Sequence, residues 1–380
     1  AAGARRAGAA DAAGVAAVTW PVIEPRGVHL KLTRYAPADY GPDAAMYWAK
    51  QRPWPVPRFP GVKITAQGTV IVPENCWPLY RAVLDAAGEQ YEFRPFGPAL
   101  PDDSAVSLPS ALTDRARKLI TDSGYQLDGF RHGCSRSGAL LLHPAGAGKS
   151  LTAYAWALAG HGDALIVTTA AAKEHLYAEA LEHTTLEPVI LAGEKPERIE
   201  RGAGLYIISY SVLPAWIDHL RKLKFDSVVL DECHGEAGQA SPRRRRKVYR
   251  PDGSSAFQDR GNVSSACEKV SRMADRRLGL TASLVRYGVR DVWAPCDLVE
   301  PGQWGPFGRP SLDGETRTPG GFSETYCAGV EGAWGGWDTR GKSNEGELAQ
   351  RLAVIAHTVP YHVTHAGLPP KRREVVRLKI

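Results

Sequence analysis

Leu140-Leu-Leu-His-Pro-Ala-Gly-Ala-Gly-Lys149-Ser150 is the stretch that decides the fold. Its apolar start, 139–142, reads as a buried strand, and 149–158 reads as a helix. A strand that turns sharply into a helix presents the unpaired N–H groups of the first helical turn to whatever sits in the turn. The positive end of the helix dipole points the same way. Phosphate oxygens suit that position. Gly146, Ala147 and Gly148 would wrap the phosphates, the glycines permitting close backbone approach. Lys149 would reach the β- and γ-phosphates, and the Ser150 hydroxyl would bind Mg2+. The pattern GxxxxGK(S/T) has His143 in place of its first glycine. His143 is read here as a filler of the loop.

A second apolar run, Phe225-Asp-Ser-Val-Val-Leu-Asp231-Glu232-Cys233-His234, ends in two carboxylates. Ligands of open α/β sheets bind outside the carboxyl ends of the strands. Nucleotide hydrolysis needs one carboxylate to hold Mg2+ and another to orient and deprotonate water. Asp231 fits the first role and Glu232 the second, so the expected ligands are ATP and Mg2+. Cys233 is expected as a small buried filler.

Around these motifs the chain alternates. Helices are predicted over 110–121, 171–182, 212–223 and 263–275, and strands over 164–168, 188–191, 205–209, 227–230 and 278–281. That alternation implies an α/β fold with a parallel sheet and helices on both faces. Ser110 or Thr113 can cap the first helix. Further on, a helix is predicted over 345–357 and a strand over 374–380. Residues 20–105 differ, being rich in proline and aromatics, with a hairpin predicted over 61–73 and a helix over 78–87. The expected organisation is a flexible lead-in over 1–19 and a small α+β accessory domain over 20–105. An ATP-binding lobe follows over 106–300, with a basic insertion at 235–261. A Gly/Trp-rich insertion over 301–345 precedes a helix and hinge strand over 346–380.

In this order the motifs resemble those of superfamily 2 helicases, specifically the Swi/Snf-like branch. Asp231-Glu-Cys-His234 resembles motif II, the DEAD/DEAH box. Tyr125-Gln-Leu-Asp-Gly129 resembles the Tyr-Gln-x-x-Gly segment whose Gln reads adenine. Ile166-Val-Thr-Thr169 resembles motif Ia, and Ile208-Ser-Tyr210 resembles the branch's Ser-Tyr segment. Leu278-Gly-Leu-Thr-Ala-Ser283 resembles motif III. Asp297-Leu298 with Pro301-Gly302 resembles the stretch after motif III, and Leu368-Pro-Pro-Lys371 the link to a second lobe.

The resemblance covers 110–380 and implies a RecA-like P-loop NTPase lobe. Lys149, Asp231 and Glu232 would be catalytic, and Gln126 would contact the nucleotide base. His234 would relay the state of the nucleotide, with Thr281 and Ser283 coupling it to DNA. Three positions depart from the pattern: Leu284 stands where proline is usual, Thr169 replaces the motif Ia proline, and Gly235 follows the acidic box. Nothing over 301–380 resembles motif V or VI. The resemblance therefore implies a second RecA-like lobe, in the rest of the chain or in trans, and a chain near-inactive alone. The function it implies is the ATP-binding half of an ATP-dependent DNA helicase or translocase, acting on duplex more than on single strands. The alternatives are the ATPase part of a restriction system and a non-enzymatic, nucleotide-gated DNA-binding lobe.

Composition adds little. Lys+Arg 47 against Asp+Glu 41 leaves +6, too small to prove a polyanionic partner. The basic character is local: Arg243, Arg244, Arg245, Arg246 and Lys247 follow the acidic box and are candidate contacts to DNA phosphates. Trp304, Trp334 and Trp337 are read as packing residues. The six cysteines show no CxxC spacing, so a reducing, cytoplasmic setting is expected. No apolar run approaches the roughly 18 residues of a membrane-spanning helix, so no membrane partner is expected. Asp11 interrupts the Ala-rich start, unlike a signal peptide.

Overall fold

The computed structural model describes residues 106–364 except 195, 197–198, 200–201, 203, 235–244, 250–254, 260–261, 308–320 and 332–336. It also describes 27–32, 63–64, 70–76, 79, 81–82, 86 and 91–96. Strands β1 (Gly27–Leu32), β2 (Lys63–Ile64), β3 (Val70–Pro73) and β4 (Tyr91–Phe96) form an antiparallel sheet in the order β2-β3-β1-β4. β2 and β3 are the arms of the predicted hairpin, Lys63 standing opposite Ile71. The helix predicted over 78–87 lies mostly outside the described residues; the lead-in and the 374–380 strand lie wholly outside them.

In the larger unit, the Thr113 hydroxyl caps α1 (Asp114–Ser123) by accepting the Ala116 N–H at 3.3 Å. Gly124, at φ 66°, turns the chain directly into α2 (Tyr125–Cys134), a helix the sequence pattern did not announce. Then follow β5 (Gly138–Leu142), α3 (Lys149–Leu158), β6 (Ala164–Thr168), α4 (Lys173–His183) and β7 (Val189–Leu191). β8 (Leu205–Ser209), α5 (Leu213–Leu223) and β9 (Ser227–Leu230) come next. The insertion after β9 carries an antiparallel ribbon of β10 (Arg245–Tyr249) and β11 (Ser255–Asp259), with Arg245 opposite Asp259. Arg243 and Arg244 lie outside the described residues. α6 (Asn262–Met273) returns to β12 (Arg276–Thr281), followed by α7 (Trp293–Val299) and α8 (Phe322–Tyr326). A two-stranded piece, β13 (Val330–Glu331) with β14 (Trp337–Asp338), precedes α9 (Glu345–Ile355), β15 (Ala356–Thr358) and α10 (Tyr361–Thr364). The predicted 345–357 helix thus ends at Ile355, and its last two residues join the sheet instead.

Seven strands, all parallel, make the main sheet in the order β15-β5-β12-β9-β6-β8-β7. Alternate residues of each strand enter opposite cores, as the two-residue period of a strand requires. Ala139, Leu141, Ile166, Ile207 and Val229 pack with α1, α2, α3 and α4. Leu140, Leu165, Val167, Ile208 and Val228 pack with α5, α6, α7 and α9. Burial on both faces explains why β6 and β8 read as unbroken apolar runs.

α9 also ties the small sheet to this unit. Fully buried Arg351 donates to Asn75 Oδ1 at 2.8 and 3.1 Å and to the Tyr326 hydroxyl at 2.9 Å. Asn75, in a 3-10 turn after β3, donates in turn to Glu300 at 2.6 Å. Trp304 donates to the same carboxylate oxygen at 2.9 Å, and its ring lies 4.1 Å under the Arg351 guanidinium. Trp304 is a packing residue, as expected, and is fully buried.

Candidate nucleotide site

β5, β12 and β9 lie side by side and end at the same edge. In register, Thr281 of β12 faces Leu142 of β5, and Gly279 faces Leu230 of β9. The loop after β5 and the carboxylates after β9 therefore flank the end of β12.

The loop 143–148 takes left-handed backbone at Gly146 (φ 77°) and Gly148 (φ 70°). No side chain caps the start of α3, so its first N–H groups face the loop. The Lys149 ammonium folds back over the loop and donates to the His143 and Pro144 carbonyls, each at 3.2 Å. It also helps hold Asp231 in its charged form. Ser150, at the second position of α3, sits where the first turn opens onto the loop.

Gln126, on α2, faces the loop. It is buried, and its Nε2 donates to the carbonyls of Ala147 (3.2 Å) and Gly148 (3.1 Å). The Tyr125 hydroxyl also donates to Ala147 O, at 3.2 Å. A Cβ on Gly148 would stand 2.0 Å from Gln126 Nε2, so glycine is needed there for space as well as for its φ.

Asp231 is half-buried, and desolvation pushes its carboxyl above the usual range, opposed by a hydrogen bond from Thr168 and by Lys149. The Thr168 hydroxyl donates to Asp231 Oδ2 at 2.8 Å, and Tyr210 donates to the Asp231 carbonyl at 2.6 Å. Glu232 takes a left-handed backbone, φ 47°, which costs on the order of 1 kcal/mol for a residue with a Cβ. That turn leaves its carboxylate partly exposed, with Oε2 3.2 Å from His234 Nδ1. The same nitrogen lies 2.5 Å from Thr281 Oγ1, which accepts the Ser283 N–H at 3.0 Å. Burial lowers the His234 pKa, and Glu232 opposes the shift. His234, Thr281 and Ser283 are thus one connected chain. Cys233 is fully buried, as expected of a filler.

Three residues join the site unannounced. Thr168 touches Asp231 because β6 pairs with β9, and Tyr210 does so from the turn after β8. The third is His357 of β15, whose Nδ1 lies 2.8 Å from His143 Nε2. The pairing of distant strands that brings these together leaves no local signal; Thr168 and Tyr210 stood inside quoted motifs, but His357 did not. Among the described residues no cluster of three or more His, Cys, Asp or Glu side chains could hold a metal by itself. Mg2+ held chiefly by nucleotide phosphates, with Ser150 and Asp231 nearby, is compatible with that donor set. No described helix is long and apolar enough to cross a membrane. All six cysteines are free and buried.

No family model matches the chain, and no curated protein matches it. Among solved structures it is similar to one described as the Sulfolobus solfataricus SWI2/SNF2 ATPase core in complex with dsDNA, at 14% identity and a TM-score of 0.43. The match covers 61% of this chain and 43% of that one.

Proposed function

We propose that the protein binds ATP·Mg2+ at the loop 143–150 and hydrolyses it as the ATP-binding lobe of a DNA-dependent translocase of the Swi/Snf-like type. The observation that carries this reading is the convergence, at one sheet edge, of a left-handed glycine loop with its lysine and a half-buried Asp–Glu pair. The strand between them ends in Thr281, which is bonded to His234.

When bound, ATP supplies the phosphoryl group that is transferred to water. The N–H groups at the start of α3 and the Lys149 ammonium hold the phosphates, and Ser150 and Asp231 hold Mg2+. Thr168 keeps the Asp231 carboxylate oriented and charged. Glu232, turned outward by its backbone, orients and accepts a proton from the attacking water. His234 senses that carboxylate and passes its state to Thr281 and Ser283. Gln126 supports the loop from behind. The ribbon β10–β11 starts eleven residues beyond His234 and brings Arg245, Arg246 and Lys247 to the insertion that leaves this edge, suited to phosphates of duplex DNA. Movement along DNA, rather than strand separation, is the proposed output.

Calorimetry with ADP·Mg2+ on wild type and Lys149→Ala, with hydrolysis measured with and without duplex DNA, tests the reading. Wild type is expected to bind and the variant to lose binding. Equal binding by the two proteins refutes the site.

A further inference from the structure

We propose that His357 is a positioning residue for the phosphate-binding loop: through its hydrogen bond to His143 it fixes the loop's first residue and so sets nucleotide affinity. The inference rests on the nucleotide-binding reading above and assigns a role to a residue outside every motif.

Four observations carry it. The first is the direct contact: His143 Nε2 and His357 Nδ1 are 2.8 Å apart, with ring centroids at 5.1 Å and planes at 67°. The second is how each partner is anchored. His357 stands on β15 in register with Leu141, two residues before His143, so the edge strand holds its ring beside the loop. His143 is fully buried, and its carbonyl is one of the two that receive the Lys149 ammonium. A shift of His143 therefore moves the acceptor that places Lys149. Glycine at this position, usual in the pattern, would have no side chain to tether.

The third observation is space. Gly129 of α2 passes so close that a Cβ there would lie 3.1–3.4 Å from both rings, so the helix is shaped around the pair. The fourth is the proton inventory. His143 Nδ1 is buried without a hydrogen-bond partner among the described residues. If His143 Nε2–H donates, Nδ1 is left a bare lone pair; if His357 donates, Nδ1 must carry an unpaired N–H. An unpaired buried donor is the rarer of the two, so His143 is the donor and both rings are neutral. The surroundings agree. His143 faces Lys149, His132 and the Tyr125 ring; His357 faces Asp128, Arg136 and His132. Burial lowers both histidines; His357 and Lys149 lower His143 further, while Asp128 offsets part of the lowering of His357.

The test compares wild type with His357→Phe, which keeps a ring but no nitrogen, and His357→Asn, which keeps an acceptor near the Nδ1 position. ADP·Mg2+ affinity is read by calorimetry, and the imidazole tautomers by nitrogen NMR without nucleotide. Gly129→Ala, which pushes the pair from the helix side, gives the same reading if His357→Phe fails to fold. We expect wild type to show His143 protonated at Nε2. His357→Phe weakens affinity about tenfold, and His357→Asn stays within about threefold of wild type. As the pH falls through the lowered His357 value, below 6.5, the affinity of wild type falls more steeply than that of His357→Asn. Equal affinity of His357→Phe and wild type overturns the positioning role alone, as does an equal loss in the Phe and Asn variants. Absence of any nucleotide binding by wild type, with the NMR tautomer as expected, overturns the nucleotide reading and leaves the pair as a structural contact.

Discussion

Thr168→Val removes a single hydroxyl at nearly constant shape, and its consequence follows from where that hydroxyl points. It donates 2.8 Å to the half-buried Asp231 carboxylate. A hydrogen bond to a charged group is worth roughly 1.5–3 kcal/mol net, against about 1 kcal/mol for a neutral one. Burial holds the Asp231 pKa above its ordinary 3.8. An acid raised on folding binds its proton more tightly in the native than in the unfolded state. Stability is therefore lost as the pH rises from 3.8 through the raised value, and the loss is complete above it. The Thr168 bond offsets part of that loss, but only while the carboxylate is charged. The variant should lose about 1.5–3 kcal/mol at pH 7.5. The deficit should shrink toward about 1 kcal/mol as the pH approaches 3.8. Urea unfolding from pH 8 downward measures it. In an Asp231→Asn background the same change should cost about 1 kcal/mol or less, giving a coupling that the double-mutant cycle reads directly. A deficit independent of pH, or one unchanged by Asp231→Asn, refutes the reasoning.

Other perturbations separate binding, chemistry and packing. Glu232→Gln should retain ADP·Mg2+ affinity and lose hydrolysis by at least about 100-fold, consistent with removal of a general base; single-turnover kinetics distinguish the two. Gly148→Ala forces a side chain into left-handed backbone and against Gln126, so thermal unfolding should show a loss of about 1–3 kcal/mol. Gly129→Ala favours the helix by up to about 1 kcal/mol in propensity yet crowds His143 and His357, so fragment helicity and nucleotide affinity should move in opposite directions. Arg351→Met leaves Asn75 Oδ1 without its guanidinium donor and removes one cation beside Glu300; urea unfolding should show about 3–5 kcal/mol lost, and limited proteolysis should reach the β1–β4 sheet first.

The local elements were legible because their causes are local. The strands 164–168, 205–209 and 227–230 stand where the apolar runs placed them, and α3 spans Lys149–Leu158 as predicted. Thr113 caps α1 because a hydroxyl one residue ahead of a helix can reach its N–H groups wherever the helix sits. α2 was not predicted: glycine is a poor helix former, yet Gly129 stands inside the helix where a Cβ would crowd two imidazoles. The basic insertion held a β-ribbon that its composition concealed.

Two things about the site came from the sequence alone: a glycine loop between a strand and a helix, and two carboxylates after another strand. Each is a short-range pattern whose geometry the intervening backbone dictates. Only the tertiary structure decided that β12 lies between those strands, bringing Thr281 to His234, and that β6 brings Thr168 to Asp231. It alone ended α9 early, because Ala356, His357 and Thr358 gain a strand partner in β5 that a continuing helix would forgo. That edge pairing sets His357 against His143 across 214 positions of chain, a contact for which no spacing rule exists.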